Sequence, residues 1–217
     1  MAASAPIDPQ RITCIVLAAG GSRRLGFPKQ LLRRRARPLL VHALGAARGA
    51  LPHSPLIVVL GAQAQRLRLV VRRTAPEALV VYNARWASGL ATSLNAGLDA
   101  VPARTAAILV TLVDQPDVDR RALRRLLTAW HRRPGAGAAA LYSGHPGVPA
   151  VLPRRYWRAI RELRGDAGAR ALLRSAGVTT VRMPEAELDI DTAADAATLD
   201  GYSVLVARLT QSVAPLA

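Results

Sequence analysis

Two stretches of the chain carry residue types suited to phosphate chemistry. Residues 17–32 read Leu-Ala-Ala-Gly-Gly-Ser-Arg-Arg-Leu-Gly-Phe-Pro-Lys-Gln-Leu-Leu, a glycine-rich, cationic loop. Gly20, Gly21 and Gly26 let the backbone turn tightly and bring its N–H groups close to an anion. Lys29 is the only lysine among 30 basic residues. In a chain that otherwise uses arginine, it marks a place for a compact ammonium where a planar guanidinium would not fit. The second stretch is Asp114-Gln115-Pro116, which ends the most apolar run of the sequence, 106–113. A carboxylate there needs a metal or a cation, because burying it unpaired is costly. The plainer alternative is a strand-end cap for nearby N–H groups.

Two common glycine-loop templates fail. A P-loop needs G-x-x-x-x-G-K-[ST], but Gly26 is followed by Phe27-Pro28-Lys29-Gln30. A dinucleotide fingerprint needs G-x-G-x-x-G and an acid at the end of the second strand. Here the loop reads G-G-S-R-R-L-G, and the second apolar run ends at Leu60-Gly61-Ala62. Hydride transfer on a bound dinucleotide is therefore not expected.

The elements that must position these residues alternate along the chain. Strands are expected at 12–18, 56–60, 78–82, 106–113, 138–142 and 178–183. Residues 148–152 read as extended, but Pro149 predicts an edge or loop-like strand. Helices are expected from Pro38 to Ala47, around Ala64–Val71, after the loop 83–89, after Asp119 as cap, at 156–163 and 169–175, and at 193–209. Alternation of this kind predicts an α/β fold with a mostly parallel sheet, whose ligands bind beyond the C-terminal strand ends. Both the Gly20 loop and Asp114 fall at such ends. The expected organisation is a tail at 1–11, one domain at 12–210 and a tail at 211–217.

Composition narrows the partners. Hydrophobic residues make up 51% of the 217, enough for a substantial core, yet no run approaches the length of a membrane span. Met1–Gln10 lacks the features of a secretory signal, and the lone Cys14 cannot form an internal disulfide. A buried structural thiol and a reducing cytoplasm are expected. The net charge of +16 suits an anionic partner. Much of it, however, lies opposite apolar stripes: Arg120, Arg121, Arg124 and Arg125 face away from Leu123, Leu126, Leu127 and Trp130, as on an ordinary amphipathic helix. With eight aromatics and no nucleic-acid motif, DNA or RNA is not an expected partner.

The motif Leu17-Ala-Ala-Gly-x-Ser-x-Arg24-Leu-Gly26-x-Pro28-Lys29 resembles the signature loop of nucleotidyltransferases that activate small phosphorylated compounds. It is most similar to the molybdenum cofactor cytidylyltransferases and their relatives. Further pieces follow in order: Asn83-x-x-Trp86-x-x-Gly89-x-x-x-Ser93, Asp114-Gln115-Pro116, Gly144-x-x-Gly147-x-Pro149, Gly165-Asp166-x-Gly168-Ala169-Arg170 and Ile190-Asp191-Thr192-x-x-Asp195. The resemblance covers about residues 12–200. It implies a three-layer Rossmann-like fold with a mostly parallel mixed sheet, a nucleoside triphosphate donor and Mg²⁺. The Ala18-Ala19-Gly20 form resembles the cytidylyl-transferring branch, so CTP is the expected donor and molybdopterin the expected acceptor, with a molybdenum hydroxylase apoenzyme as recipient. GTP, another acceptor such as a sugar phosphate, and a non-catalytic cofactor-carrying chaperone stand as alternatives.

Carried onto this sequence, the reaction is attack of a substrate phosphate oxygen on the nucleotide α-phosphorus, where positioning and charge neutralisation do most of the catalysis. Leu17, Ala18, Ala19, Gly20, Gly21 and Ser22 would hold the nucleotide, with Asn83, Gly89 and Ser93 opposite. Arg24 suits the departing phosphates and Lys29 a point contact near the α-phosphate. Arg23 is expected to stay exposed. Asp114 is the candidate metal ligand, and Asp191 the second by family position. Asp189 is the alternative, and the Thr192-x-x-Asp195 capping box offers Asp191 a plain role at a helix start. Trp86, Gly144, His145, Gly147 and Pro149 would shape the acceptor side, although Trp86 suits plain packing equally well. His145 needs no general-base role, because a phosphate monoester is already ionised. The four histidines show no zinc spacing.

Overall fold

A computed structural model describes residues 11–165, 172–174 and 177–199. The uninterrupted apolar run at the start forms β1 (Ile12–Ala18), buried along its whole length. Its side chains alternate between two layers, as the two-residue strand period requires. Ile12, Cys14, Val16 and Ala18 pack into one core, and Ile15 and Leu17 into the other.

After a short hairpin, β2 (Arg33–Arg34) and β3 (Arg37–Pro38), the chain runs α1 (Leu39–Ala50), β4 (Leu56–Leu60), α2 (Ala64–Thr74), β5 (Leu79–Tyr82), α3 (Leu90–Asp99) and β6 (Ala107–Leu112). Next come α4 (Arg120–Arg132), β7 (Ala138–Tyr142), β8 (His145–Pro153), α5 (Trp157–Glu162), β9 (Thr179–Arg182) and α6 (Ala193–Ala197). The seven-stranded sheet has the order β5-β4-β1-β6-β8-β7-β9. Every neighbouring pair is parallel except those of β8, which runs against both β6 and β7. Apolar faces of α1, α2 and α4 cover one side, and α3 and α5 the other. This is the expected three-layer arrangement with a mostly parallel mixed sheet.

Helix α4 shows why the arginine load is compatible with a well-packed fold. Leu123, Leu126, Leu127 and Trp130 are buried while Arg120, Arg121, Arg124 and Arg125 are exposed. Asp119 caps the helix, accepting from the backbone N–H groups of Arg121 and Ala122 at 2.8 and 2.9 Å.

One expected element is placed differently. The segment holding Pro149 is not an edge: β8 lies inside the sheet and pairs on both sides. The ladder to β7 skips from Ala150 opposite Ala139 to Gly147 opposite Ala140, leaving Val148 and Pro149 in a bulge. Toward β6 the pairing ends at Ala150. A proline without an N–H is tolerated there because neither neighbour asks it for a hydrogen bond. Pro38 likewise closes β3, so α1 begins at Leu39. The expected helix at 169–175 and most of the Gly165–Arg170 motif fall outside the described residues. The closing helix expected over 193–209 ends at Ala197, where Thr198 caps it, and residues beyond 199 fall outside the described residues.

Candidate active site

The loop after β1 is shaped by its own polar side chains. Ser22, at φ 51°, accepts from the backbone N–H groups of Leu25 and Gly26 through its carbonyl. Its hydroxyl accepts from the N–H of Lys29 at 3.0 Å. Buried Gln30 staples the base of the loop: its Nε2 donates to the carbonyls of Ala18 at 2.9 Å and Gly20 at 2.8 Å. The sequence reading missed Gln30. The available signal was a polar residue in a turn that otherwise buries leucine.

Trp86, within the short 83–89 loop, forms the neighbouring wall. A Cβ on Gly21 would lie 2.6 Å from its indole ring, and one on Gly61 would lie 2.4 Å from its Cβ and 2.7 Å from the Ala19 carbonyl oxygen. The tryptophan therefore fits only because both positions are glycine. Arg23 lies over the same ring at 5.7 Å, close enough for a cation–π contact.

Asn83 holds this wall from behind. Its Nδ2 donates to the hydroxyls of Thr92 and Ser93 at 2.9 and 3.0 Å, and its Oδ1 accepts from the N–H of Arg85. With its amide committed in this way, Asn83 positions Ser93 and the start of α3.

Opposite the loop, three carboxylates converge. Asp114 follows β6, and its carbonyl accepts from the N–H of buried Ile190 at 3.1 Å. This bond draws the segment 189–191 to the end of β6, so that Asp189 and Asp191 arrive beside Asp114. One oxygen from each of the three lies within 4.8 Å of the others. Lys29 enters this group: its Nζ is 2.6 Å from Asp114 Oδ2, 2.7 Å from Asp191 Oδ1 and 4.0 Å from Asp189 Oδ1.

Burial alone would lower the Lys29 pKa, but the Asp114 charge and the hydrogen bonds to Asp114 and Asp191 hold it above the usual value. Asp189 is pushed up to about 7, first by burial and then by the Asp114 charge, with Lys29 pulling the other way. One ammonium does not balance three carboxylates. Oδ1 of Asp114 is buried and has no hydrogen-bond partner. Hard oxygens in this arrangement, one of them unsatisfied, fit a divalent cation such as Mg²⁺. The capping role near Asp191 belongs to its neighbours: Thr192 and Asp195 form the capping box of α6.

The loop, Trp86, the start of α3 and the carboxylates enclose one cleft of about 650 Å³. Leu17, Ala18, Gly20, Gly21, Ser22, Arg24, Lys29, Trp86, Gly89, Ser93, Asp114 and Asp191 all line it, as do Arg23, Gln30 and Asp189. The methyl of Ala19 packs in the core instead.

The expected acceptor residues separate. His145 lines an adjoining hollow of about 230 Å³ with Gln115, Tyr142, Ser143 and Glu187, which meets the cleft at Leu112 and Asp189. Gly147 lies under the Tyr142 ring, where a Cβ would come within 2.5 Å of the hydroxyl. Gly144 occupies the turn at φ 75°, and Pro149 the bulge. Trp86 stands with the glycine loop, away from this group.

The MobA-like NTP transferase domain family matches the chain over residues 14–181. The chain belongs to the MobA-like NTP transferase domain family. Its relatives carry different names. Nicotine blue oxidoreductase of Paenarthrobacter nicotinovorans is 37% identical over 172 residues, 75% of this chain and 81% of that protein. The bifunctional protein GlmU of Kineococcus radiotolerans is 36% identical over 160 residues, 71% of this chain. The matched part is only 30% of GlmU.

Among solved structures, Rv0371c of Mycobacterium tuberculosis H37Rv, in complex with manganese, has a TM-score of 0.70 and 30% identity, covering 93% of this chain and 99% of that one. No helix among the described residues of this MobA-like chain is long and apolar enough to cross a membrane.

Proposed function

We propose that this MobA-like protein transfers CMP from CTP to the phosphate of molybdopterin with release of pyrophosphate, using Mg²⁺. The observation that carries the reading is the single cleft in which a glycine loop and Lys29 face Asp114, Asp189 and Asp191. Donor groups for phosphate lie on one wall and ligands for a cation on the other, as phosphate-on-phosphate chemistry requires.

In this mechanism a phosphate oxygen of the acceptor forms a bond to the α-phosphorus, and the bond from that phosphorus to the β-phosphate oxygen breaks. The loop N–H groups and Ser22 hold the triphosphate, and Arg24 takes charge that builds on the leaving pyrophosphate. Lys29 serves the α-phosphate as a point charge. Asp114 and Asp191, with Asp189, are the residues to hold Mg²⁺, which when bound neutralises phosphate charge and polarises the reacting phosphorus. His145 and its hollow lie on the acceptor side.

The Ala18-Ala19-Gly20 pattern supports CTP. Because the Ala19 methyl packs in the core, any effect on the base passes through the loop backbone. A molybdenum hydroxylase is the recipient this reading implies, in the cytoplasm.

The test is pyrophosphate release with molybdopterin, Mg²⁺ and each of CTP, GTP, ATP and UTP. Release with CTP at several times the rate of the others is expected. Equal rates would remove the cytidylyl assignment, and no release with any nucleotide would remove nucleotidyl transfer to this acceptor.

A second reading follows from the 37% identity to nicotine blue oxidoreductase: an oxidoreductase, for which a bound dinucleotide is the cofactor to test. The failed dinucleotide fingerprint speaks against it. Oxidation of NADH or NADPH by a quinonoid dye in the presence of the protein would establish it.

A further inference from the structure

Lys29 occupies the ground a cation would need. Its Nζ is within hydrogen-bond distance of both Asp114 and Asp191, at 2.6 and 2.7 Å, and its side chain is only 10% exposed. One oxygen from each of Asp114, Asp189 and Asp191 lies within 4.8 Å of the other two. A divalent cation of Mg²⁺ size binds oxygens at about 2.0–2.1 Å, so one that bridges the Asp114 and Asp191 oxygens facing Nζ takes the space the ammonium fills.

The lysine also has somewhere to go. Its backbone is pinned to Ser22 at 3.0 Å, while its four-carbon stem is flexible. The same cleft is lined by the glycine loop and Arg24. Arginine could fill neither position with a single compact charge. That accounts for a lone lysine in a chain with 30 basic residues.

We propose that Lys29 is a resident counter-ion which a divalent cation displaces, so that metal binding delivers the ammonium to the phosphate side of the cleft. The inference rests on the nucleotidyl-transfer reading and adds an order of events to it. Before the metal arrives, the lysine neutralises the carboxylates and keeps their geometry. Afterwards it joins the loop as a phosphate-binding group. The two states exchange one cation for another at the same oxygens, and no bond is made or broken.

Because Lys29 is the only lysine, its chemistry can be read without background. Full-length protein is acetylated with an amine-reactive ester, with and without Mn²⁺ and without nucleotide, and the Lys29 peptide is quantified by mass spectrometry against the N-terminal amine. Mn²⁺ is expected to raise Lys29 labelling several-fold. In parallel, Mn²⁺ affinity is measured by electron paramagnetic resonance for wild type, Lys29→Met and Asp114→Asn. Removing the competing charge should tighten Mn²⁺ binding at least about tenfold in Lys29→Met, since a nearby charge shifts carboxylate equilibria by about 1–3 log units. Asp114→Asn should weaken it.

Unchanged Lys29 labelling at saturating Mn²⁺ would overturn displacement by itself, and so would equal affinity in wild type and a folded Lys29→Met. The metal-site reading would still stand if Asp114→Asn lost Mn²⁺. No Mn²⁺ binding to wild type or Lys29→Met would overturn both. The labelling arm uses wild type alone, so it decides the matter even if Lys29→Met does not fold.

Discussion

The N–H of Lys29 donates to the hydroxyl of Ser22 at 3.0 Å, so the residue that closes the glycine loop is also the residue whose ammonium reaches the carboxylates. Loop and metal-type cluster are thereby parts of one device, separated by 162 positions in the chain between Lys29 and Asp191.

The first consequence concerns Lys29→Arg. A planar guanidinium cannot place one compact charge centre 2.6 and 2.7 Å from two different carboxylates, as the ammonium does. The expected loss of kcat is more than roughly tenfold, about 1.4 kcal/mol or more at the transition state. Steady-state pyrophosphate release measures it. An arginine variant turning over at the wild-type rate would show that charge alone suffices.

Asp191 and Thr192 are adjacent but should fail in different ways. Asp191→Asn removes a carboxylate that faces Lys29, and turnover should fall at least roughly tenfold with little change in thermal midpoint. Thr192→Ala removes the N-cap of α6 and should cost about 1 kcal/mol of stability with turnover nearly kept. Thermal unfolding and kinetics on the same two proteins separate the roles. The opposite pattern would assign Asp191 to the helix start.

Gly61→Ala places a methyl 2.4 Å from the Trp86 Cβ and 2.7 Å from the Ala19 carbonyl oxygen, so the tryptophan must move. Destabilisation by about 1–3 kcal/mol is expected. The KM for the nucleotide should rise more than kcat falls, because the cleft wall shifts while the carboxylates stay. Denaturant unfolding and nucleotide titration check this.

Burial pushes the Cys14 thiol up to about 12 from 9.0, against a smaller lowering by Arg48. The folded state therefore holds this proton more tightly than the unfolded state. Its contribution to stability is fully present below pH 9.0 and is lost as pH rises towards about 12. Between those limits, Cys14→Ala should show a shallower fall of stability with pH than wild type. Native protein should also resist thiol reagents at pH 8 until it unfolds. Rapid labelling of the native chain would contradict the burial.

The parts of this structure legible in the sequence are those decided locally. Ile12–Ala18 announces a buried strand, and Leu123, Leu126, Leu127 and Trp130 announce the apolar face of α4, because each pattern repeats with the period of its own element. The loop from Gly20 to Lys29 and the strand-end Asp114 were visible for the same reason. What could not be read is set by distant pairing. Pro149 locally argues for an edge, and only the bulge between β7 and β8 makes an interior position tolerable. The pairing of Lys29 with Asp114 and Asp191 depends on the Ile190–Asp114 hydrogen bond, which joins segments with no shared periodicity. That same bond explains why Asp189, the alternative to Asp191, arrives alongside it. Trp86 needed two glycines from different loops, Gly21 and Gly61, before its place beside the glycine loop was determined.

The Gln30 staple has one more implication. By donating to the carbonyls of Ala18 and Gly20, a single amide occupies two backbone acceptors that would otherwise attract cations to the loop. With those two carbonyls occupied, the balance of the loop shifts toward its N–H donors, which favours an anion. With those acceptors left free, the same glycines would form an ambivalent surface, able to hold a hydrated metal ion where a triphosphate should lie. Recognition of charge by this loop thus depends on which of its own atoms are kept occupied as much as on the arginines around it.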